Sequence, residues 1–256
     1  MSGPAPHAAR RGPWRAEVLI PAHRFVVALS DGEVFQVAAG GSAPTFRGYR
    51  ALQVPGAVHG MIAWPNTVLL TGPEPVVIDP GYATQGDMLV QALERRGLRP
   101  DDVRTAIATH LHADHVSALP QLGEVELHVH AAELDSEHAG RGRGFRDLAR
   151  VRPFAGAAGT VLPGIDFVHT PGHTDGHVAL FVATGDGEVA VAGDTLGPDP
   201  GWFAAMDLPE GHPRRDEHLA AFRAIADRGP AWIIPGHSPP FPFGEGDREG
   251  GGRARQ

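Results

Sequence analysis

Thr109-His110-Leu111-His112-Ala113-Asp114-His115 is the stretch that decides how this chain reads. It follows a short β-type run, Thr105–Thr109, without a gap. Four potential metal ligands are packed into the pattern His-x-His-x-Asp-His. Side chains alternate along an extended chain, so His110 and His112 point to one side. A turn at Ala113 then presents Asp114 and His115 to a neighbouring point, and one loop can serve two metal ions. Borderline cations such as zinc accept imidazole and carboxylate ligands together. A polar loop of hydrogen-bonded histidines is the bland alternative. So dense a cluster after an apolar strand weighs against it.

Three more candidates stand at strand ends. His173 lies in Thr170-Pro171-Gly172-His173-Thr174-Asp175-Gly176-His177, after a strand at Ile165–His169. Asp194 lies in Ala192-Gly193-Asp194-Thr195 and His237 in Ile234-Pro235-Gly236-His237. A preceding glycine lets the backbone turn sharply and approach a crowded site. One such dipeptide is weak evidence; three of them, joined to the first cluster, support one another. Sheets with parallel strands place ligand sites beyond strand C-termini, where all of these fall. His177 reads as a brace for the loop rather than as a ligand. His169 reads as a core or edge residue. His59, His128, His130, His138, His212 and His218 have no partner motif.

The rest of the chain is consistent with a layered α/β protein. Strands are expected at Glu17–Ile20, Phe25–Leu29 and Glu33–Val37, the last two around the turn Ser30-Asp31-Gly32. Thr67–Thr71 pairs with Val76–Ile78 as a hairpin. A helix is expected from Gln85 to Arg96, with Thr84 as N-cap, a stripe of Met88, Leu89, Ala92 and Leu93, and Gly97 as its stop. Glu126–His130 reads as a strand and Ala131–His138 as a short helix. Val178–Ala183 and Glu188–Ala192 form a hairpin, Arg215–Arg228 a helix and Trp232–Ile234 a last strand. The connection Pro198 to Pro213 carries Trp202, Phe203 and Met206. These form either a wall for an acyl group or a cap on the core, with the two readings evenly balanced. Arg141, Arg143 and Arg146, set among glycines, read as a solvated loop more than as an anion site.

A length of 256 residues suits one large domain. The expected division is a flexible tail over 1–15, one catalytic domain over 16–243 and a second tail over 244–256. The net charge of −8 argues against a nucleic-acid surface. The absence of Cys removes disulfides, thiolate metal sites and thiol nucleophiles together. No apolar run is long enough to span a bilayer, and no apolar segment follows Arg10 and Arg11 as in a secretory leader. A cytoplasmic protein without a membrane partner is the expectation.

Taken in order, His110, His112, Asp114, His115, His173, Asp194 and His237 resemble the ligand set of the metallo-β-lactamase superfamily. Asp79, in Val77-Ile78-Asp79-Pro80-Gly81, is similar to that family's early aspartate, an outer group that braces the site. The resemblance runs from about Thr67 to His237. It implies an αβ/βα four-layer sandwich with metal at one edge. It further implies that His110, His112 and His173 hold one ion, that Asp114, His115 and His237 hold a second, and that Asp194 bridges. Two divalent ions, zinc first and iron or manganese otherwise, would supply a bridging hydroxide. That hydroxide would attack an ester, lactone or thioester carbonyl of a small molecule, with Asp114 and Asp194 as the catalytic carboxylates. Without Cys near Asp194 the chain is closer to glyoxalase II-like and N-acyl homoserine lactonase-like hydrolases than to the β-lactamases. Where the lactonases commonly carry a Tyr past the bridging Asp, this chain has Thr195-Leu196-Gly197-Pro198. The alternatives are a mononuclear-iron oxidoreductase of the persulfide dioxygenase type and, behind it, a metal-dependent phosphodiesterase or nuclease. A monomer or homodimer is expected.

Overall fold

The computed structural model describes residues 12–30, 33–40, 58–135, 149–197 and 199–243. One mixed sheet has the order β1-β5-β6-β7-β8-β9. Its strands are β1 (Arg15–Ile20), β5 (Thr67–Thr71), β6 (Val76–Ile78), β7 (Thr105–Ile107), β8 (Val125–His130) and β9 (Ala149–Phe154). The second runs in chain order through β10 (Ala158–Leu162), β11 (Ile165–His169), β12 (Val178–Thr184), β13 (Gly187–Gly193), β14 (Trp232–Pro235) and β15 (Phe241–Pro242). A third sheet has the order β3-β2-β4, from β2 (His23–Ser30), β3 (Glu33–Gly40) and β4 (Val58–Trp64).

The two-residue period of the strands builds the layers. Val68, Leu70, Val76 and Ile78 face inward and meet Phe167, Leu180, Val182 and Val191 of the second sheet in one core. Their sequence neighbours Leu69 and Val77 point the other way. There they meet Leu89, Ala92 and Leu93 of helix α1 (Gly86–Glu94) and the 3-10 turn Leu119–Leu122. On the far side Phe181, Ala190 and Ile233 pack against Leu219, Phe222 and Ile225 of helix α5 (Arg215–Arg228). Arg228 of α5 pairs with Asp166 at 2.7 Å and Glu188 at 2.8 Å while lying 4.9 Å above the Phe181 ring. The result is a helix–sheet–sheet–helix stack of the αβ/βα type. The short helices α2 (Ala113–Val116), α3 (Ala131–Asp135) and α4 (Pro200–Ala205) lie in the connections.

Several expectations are corrected. Residues 12–15 do not form part of a loose tail: Trp14 is buried and donates its indole N–H to Pro163 O at 2.8 Å, which docks this segment on the second sheet. Thr84 is not a cap; it sits inside the 3-10 turn Ala83–Gln85, and α1 begins behind Gln85. Met88 is 38% exposed, so the inner stripe of α1 is Leu89, Ala92 and Leu93. The connection after Asp194 contains α4, whose first turn is capped by the Asp199 carboxylate accepting from Gly201 N. Trp232 opens β14 but is exposed, and β15 follows it. Strands β4, β9 and β10 lacked any expectation. Arg141, Arg143, Arg146, His138, the turn at Asp31 and residues 244–256 lie outside the described residues.

Candidate metal centre

Parallel pairing carries the candidate ligand residues to one edge. In the β6–β7 pair Ile78 lies beside Ile107, so Asp79 and Thr109 leave their strands together. In the β13–β14 pair Gly193 lies beside Pro235, so Asp194 and His237 emerge next to each other. The sheets are stitched at this edge: Val178 N donates to Thr109 O at 3.0 Å and Asn66 N to Gly236 O at 2.7 Å.

Three imidazole nitrogens converge first. His110 Nε2 lies 3.0 Å from His112 Nδ1, which lies 2.8 Å from His173 Nε2. Beside them Asp114, His115 and His237 form a second group, with His237 Nε2 3.1 Å and His115 Nε2 3.8 Å from Asp114 Oδ2. Asp194 stands between the groups. Its Oδ1 is 3.3 Å from His115 Nε2; its Oδ2 is 3.3 Å from His173 Nε2 and 3.4 Å from His237 Nε2. A Cβ on Gly236 would sit 2.0 Å from Asp194 Oδ1, so only glycine lets the His237 loop come this close. All seven residues named from the motifs thus meet.

Outer groups fix the orientation of the rings. Asp79 adopts φ 48°, an uncommon conformation for a residue with a side chain, and its carboxylate is fully engaged. Oδ1 accepts from Thr109 N at 2.8 Å. Oδ2 accepts from Thr109 Oγ1 at 2.7 Å and faces His115 Nδ1 at 2.9 Å. Thr109 Oγ1 in turn lies 3.1 Å from His110 Nδ1. Both rings therefore keep Nε2 for the centre. His177 does not point into the ligand groups. Its Nε2 accepts the Asp194 N–H at 3.0 Å, and its Nδ1 lies 2.8 Å from Thr170 Oγ1.

The electrostatics suit a cation. Burial alone would strip the protons from His115 and His237. Asp194 with Asp79 reverses this and holds His115 well above the ordinary imidazole value. Asp194 with Asp114 raises His237 to about 9. Burial likewise opposes ionisation of Asp194, yet His115 and His237 keep it well below the usual carboxylate range. Burial, reinforced by His115, pushes His110 well down, and burial takes His173 to about 4. The carboxylates thus draw positive charge to His115 and His237, at the point where a metal ion would supply it. His115 Nε2 and Asp194 Oδ1 are also buried; they face each other at 3.3 Å without the alignment of a hydrogen bond and have no other hydrogen-bond partner, an arrangement a buried polar pair rarely keeps. The donor set of imidazoles and carboxylates fits a divalent transition metal.

The apolar residues of the Pro198–Pro213 connection separate. Phe203 is 1% exposed and packs on Phe222, Phe241 and Phe243, so it belongs to the core. Trp202 is partly buried, and its ring meets the edge of His212, which meets His218. His218 Nδ1 in turn lies 3.4 Å from Thr195 O, next to Asp194. Met206 is 37% exposed. His169 stacks on His130 at 4.4 Å, away from the ligand groups. Two residues had no signal in the sequence: Asn66, buried beside the His237 loop, and Glu133, fully buried beneath the His110 and His173 loops.

The fold and this cluster define a metallo-hydrolase architecture. The family model of the metallo-beta-lactamase superfamily matches residues 65–237, and the chain belongs to that superfamily. It is 35% identical over 183 residues to metallo-beta-lactamase domain-containing protein 1 of Xenopus laevis, covering 69% of this chain and 71% of that protein. An N-acyl homoserine lactonase of a Bacillus species is 30% identical over 110 residues, 40% of this chain and 41% of that enzyme. Among solved structures, a quorum-quenching N-acyl homoserine lactone hydrolase superposes with a TM-score of 0.57 at 22% identity, over 84% of this chain and 86% of that one. Another, an N-acyl homoserine lactone hydrolase with the product N-hexanoyl-L-homoserine at its catalytic metal centre, gives 0.55 at 19% identity, over 80% and 88%. Among the described residues no helix is long and apolar enough to cross a membrane.

Proposed function

We propose that this protein is a dinuclear metallo-hydrolase acting on a small ester, lactone or thioester with an apolar acyl group. The observation that carries the reading is the Asp194 carboxylate, which lies 3.3 Å from His173 of the three-histidine group and 3.3 Å and 3.4 Å from His115 and His237 of the other group. His110, His112 and His173 would hold one ion, Asp114, His115 and His237 the second, and Asp194 would touch both. When bound, such ions acidify a water nucleophile to a pKa of about 7 and polarise the scissile carbonyl.

The chain's own groups then have separate tasks. Asp79, Thr109 and His177 fix the ligand geometry, so little reorganisation is needed during the reaction. The Asp114 side chain is 29% exposed and is the carboxylate of the centre that reaches solvent most openly. With Oδ2 turned to His115 and His237, its other oxygen would accept the proton of the attacking water and pass it to the leaving oxygen or sulfur as the acyl bond breaks. Trp202 and Met206 would line the acyl side, while Phe203 supports them from the core. The lactonase relatives support a carbonyl substrate. The stretch Thr195-Leu196-Gly197 offers no phenol at the point where the family resemblance leads one to expect Tyr in a homoserine lactonase, which favours a substrate other than a homoserine lactone.

Elemental analysis after reconstitution, combined with a screen over esters, lactones, thioesters and β-lactams, tests the reading. About two divalent ions per chain and hydrolysis of an apolar acyl substrate are expected. One iron with no second ion, or activity confined to phosphodiesters, would overturn it.

A further inference from the structure

Each half of the centre rests on its own buried polar side chain. Glu133, on α3, is buried and reaches both loops that carry the three-histidine group. Its Oε2 accepts Leu111 N at 2.8 Å, between His110 and His112. Its Oε1 accepts Gly176 N at 2.8 Å and the Thr174 hydroxyl, on either side of Asp175 and directly after His173. The loop lies flat on the helix: a Cβ on Gly176 would come within 2.3 Å of Glu133 N. One carboxylate thus sets the spacing between His110, His112 and His173.

Asn66 does the same for the other half. It is buried at the junction of β4 and β5. Its Nδ2 donates to Pro235 O at 2.7 Å and Ser238 O at 2.8 Å, which bracket His237. Its backbone N–H donates to Gly236 O at 2.7 Å. Its Oδ1 accepts Ala22 N at 2.7 Å, from the link between β1 and β2. Both amide hydrogens and the amide oxygen are engaged, and the side chain ties the base of the three-stranded sheet to the His237 loop.

We infer that Glu133 and Asn66 are positioning residues for separate metal positions: Glu133 tunes the three-histidine position, and Asn66 the position completed by His237. The inference rests on the dinuclear reading above. Neither residue belongs to the candidate metal-holding groups, so the leverage of each runs through the loop it pins. Isosteric changes break the pinning. Glu133→Gln turns one acceptor into a donor facing N–H or O–H groups. Asn66→Asp turns a double donor into an acceptor facing two carbonyls.

Cobalt(II) titration followed by calorimetry and d–d absorbance reads the two binding steps, with His112→Ala and His237→Ala marking which band belongs to which position. Glu133→Gln is expected to weaken the three-histidine step about 10- to 100-fold and leave the other within about 3-fold; Asn66→Asp is expected to do the reverse. Imidazole C2–H resonances of the metal-free protein give a second readout. Asn66→Asp should shift His237 and leave His112 and His173 in place, and Glu133→Gln should do the opposite. If either substitution prevents folding, Thr174→Val and Asn66→Ser make the same comparison with smaller changes. Equal weakening of both steps by both variants, or no change in either step, overturns the inference. A wild-type protein that binds one ion overturns the dinuclear reading, while the resonance shifts still decide whether the two braces act separately.

Discussion

His115 gives its Nδ1 to Asp79 at 2.9 Å and keeps Nε2 for Asp194 at 3.3 Å, so one ring links the brace to the carboxylate between the ligand groups. The order of importance among the carboxylates follows. Asp79→Ala loosens His115 and Thr109 and is expected to lower kcat/KM about 10- to 100-fold. Asp194→Ala removes a carboxylate that faces both groups, and is expected to lower kcat/KM further and to reduce bound metal. Steady-state kinetics beside elemental analysis check this. Equal losses in the two variants with metal content unchanged would show that Asp194 does not bridge.

Metal removal should cost stability as well as activity. A ligand present at 100 times its Kd stabilises the native state by about 2.7 kcal/mol. For a domain of this size that corresponds to a rise in Tm of roughly 5–10 °C. Chelation should lower Tm by about this much, and zinc should restore it. A Tm indifferent to both would mean that the buried His115 Nε2 and Asp194 Oδ1 are not completed by metal.

Trp202 and Phe203, adjacent in sequence, should behave differently. Each buried methylene contributes about 0.8 kcal/mol, so a few matched methylenes shift kcat/KM by one or two orders of magnitude. Trp202→Ala is expected to flatten the dependence of kcat/KM on acyl chain length. Phe203→Ala is expected to cost about 3–5 kcal/mol of stability and to leave that dependence in place. If chain length has no effect in the wild type, the acyl assignment fails while the metal chemistry stands.

His130 lies outside the candidate ligand groups and gives a pH dependence of its own. Burial, and then the stacked His169, lower its pKa from the ordinary 6.5. As pH falls through about 6.5 the unfolded chain takes up this proton before the folded one does. Unfolding therefore binds a proton, and the contribution of His130 to stability is present above about 6.5 and declines as pH falls towards the folded value. Tm of the metal-free protein, measured across this range, should fall less in His130→Phe than in the wild type. Identical slopes would remove His130 from the acid limb.

The sequence by itself determined the inventory of candidate ligands and the class of fold. His110, His112, Asp114 and His115 are contiguous, so their chemistry is legible without knowing where any other residue lies. The helix Arg215–Arg228 and the strands Thr67–Thr71 and Val76–Ile78 were equally plain, because their apolar period and flanking turns are local signals. Tertiary structure decided what depends on partners far along the chain. Edge strands β9 and β10 carry Arg, Pro and Gly and bury little, which leaves no strong period. Trp14 is docked by the Pro163 carbonyl and by its pairing with Thr184, and Phe203 is core because Phe222, Phe241 and Phe243 close over it. Glu133 and Asn66 look like ordinary surface residues in the sequence. They are buried because donors and acceptors from distant loops engage both oxygens of Glu133 and the whole amide of Asn66, and that juxtaposition exists only once the two sheets have stacked.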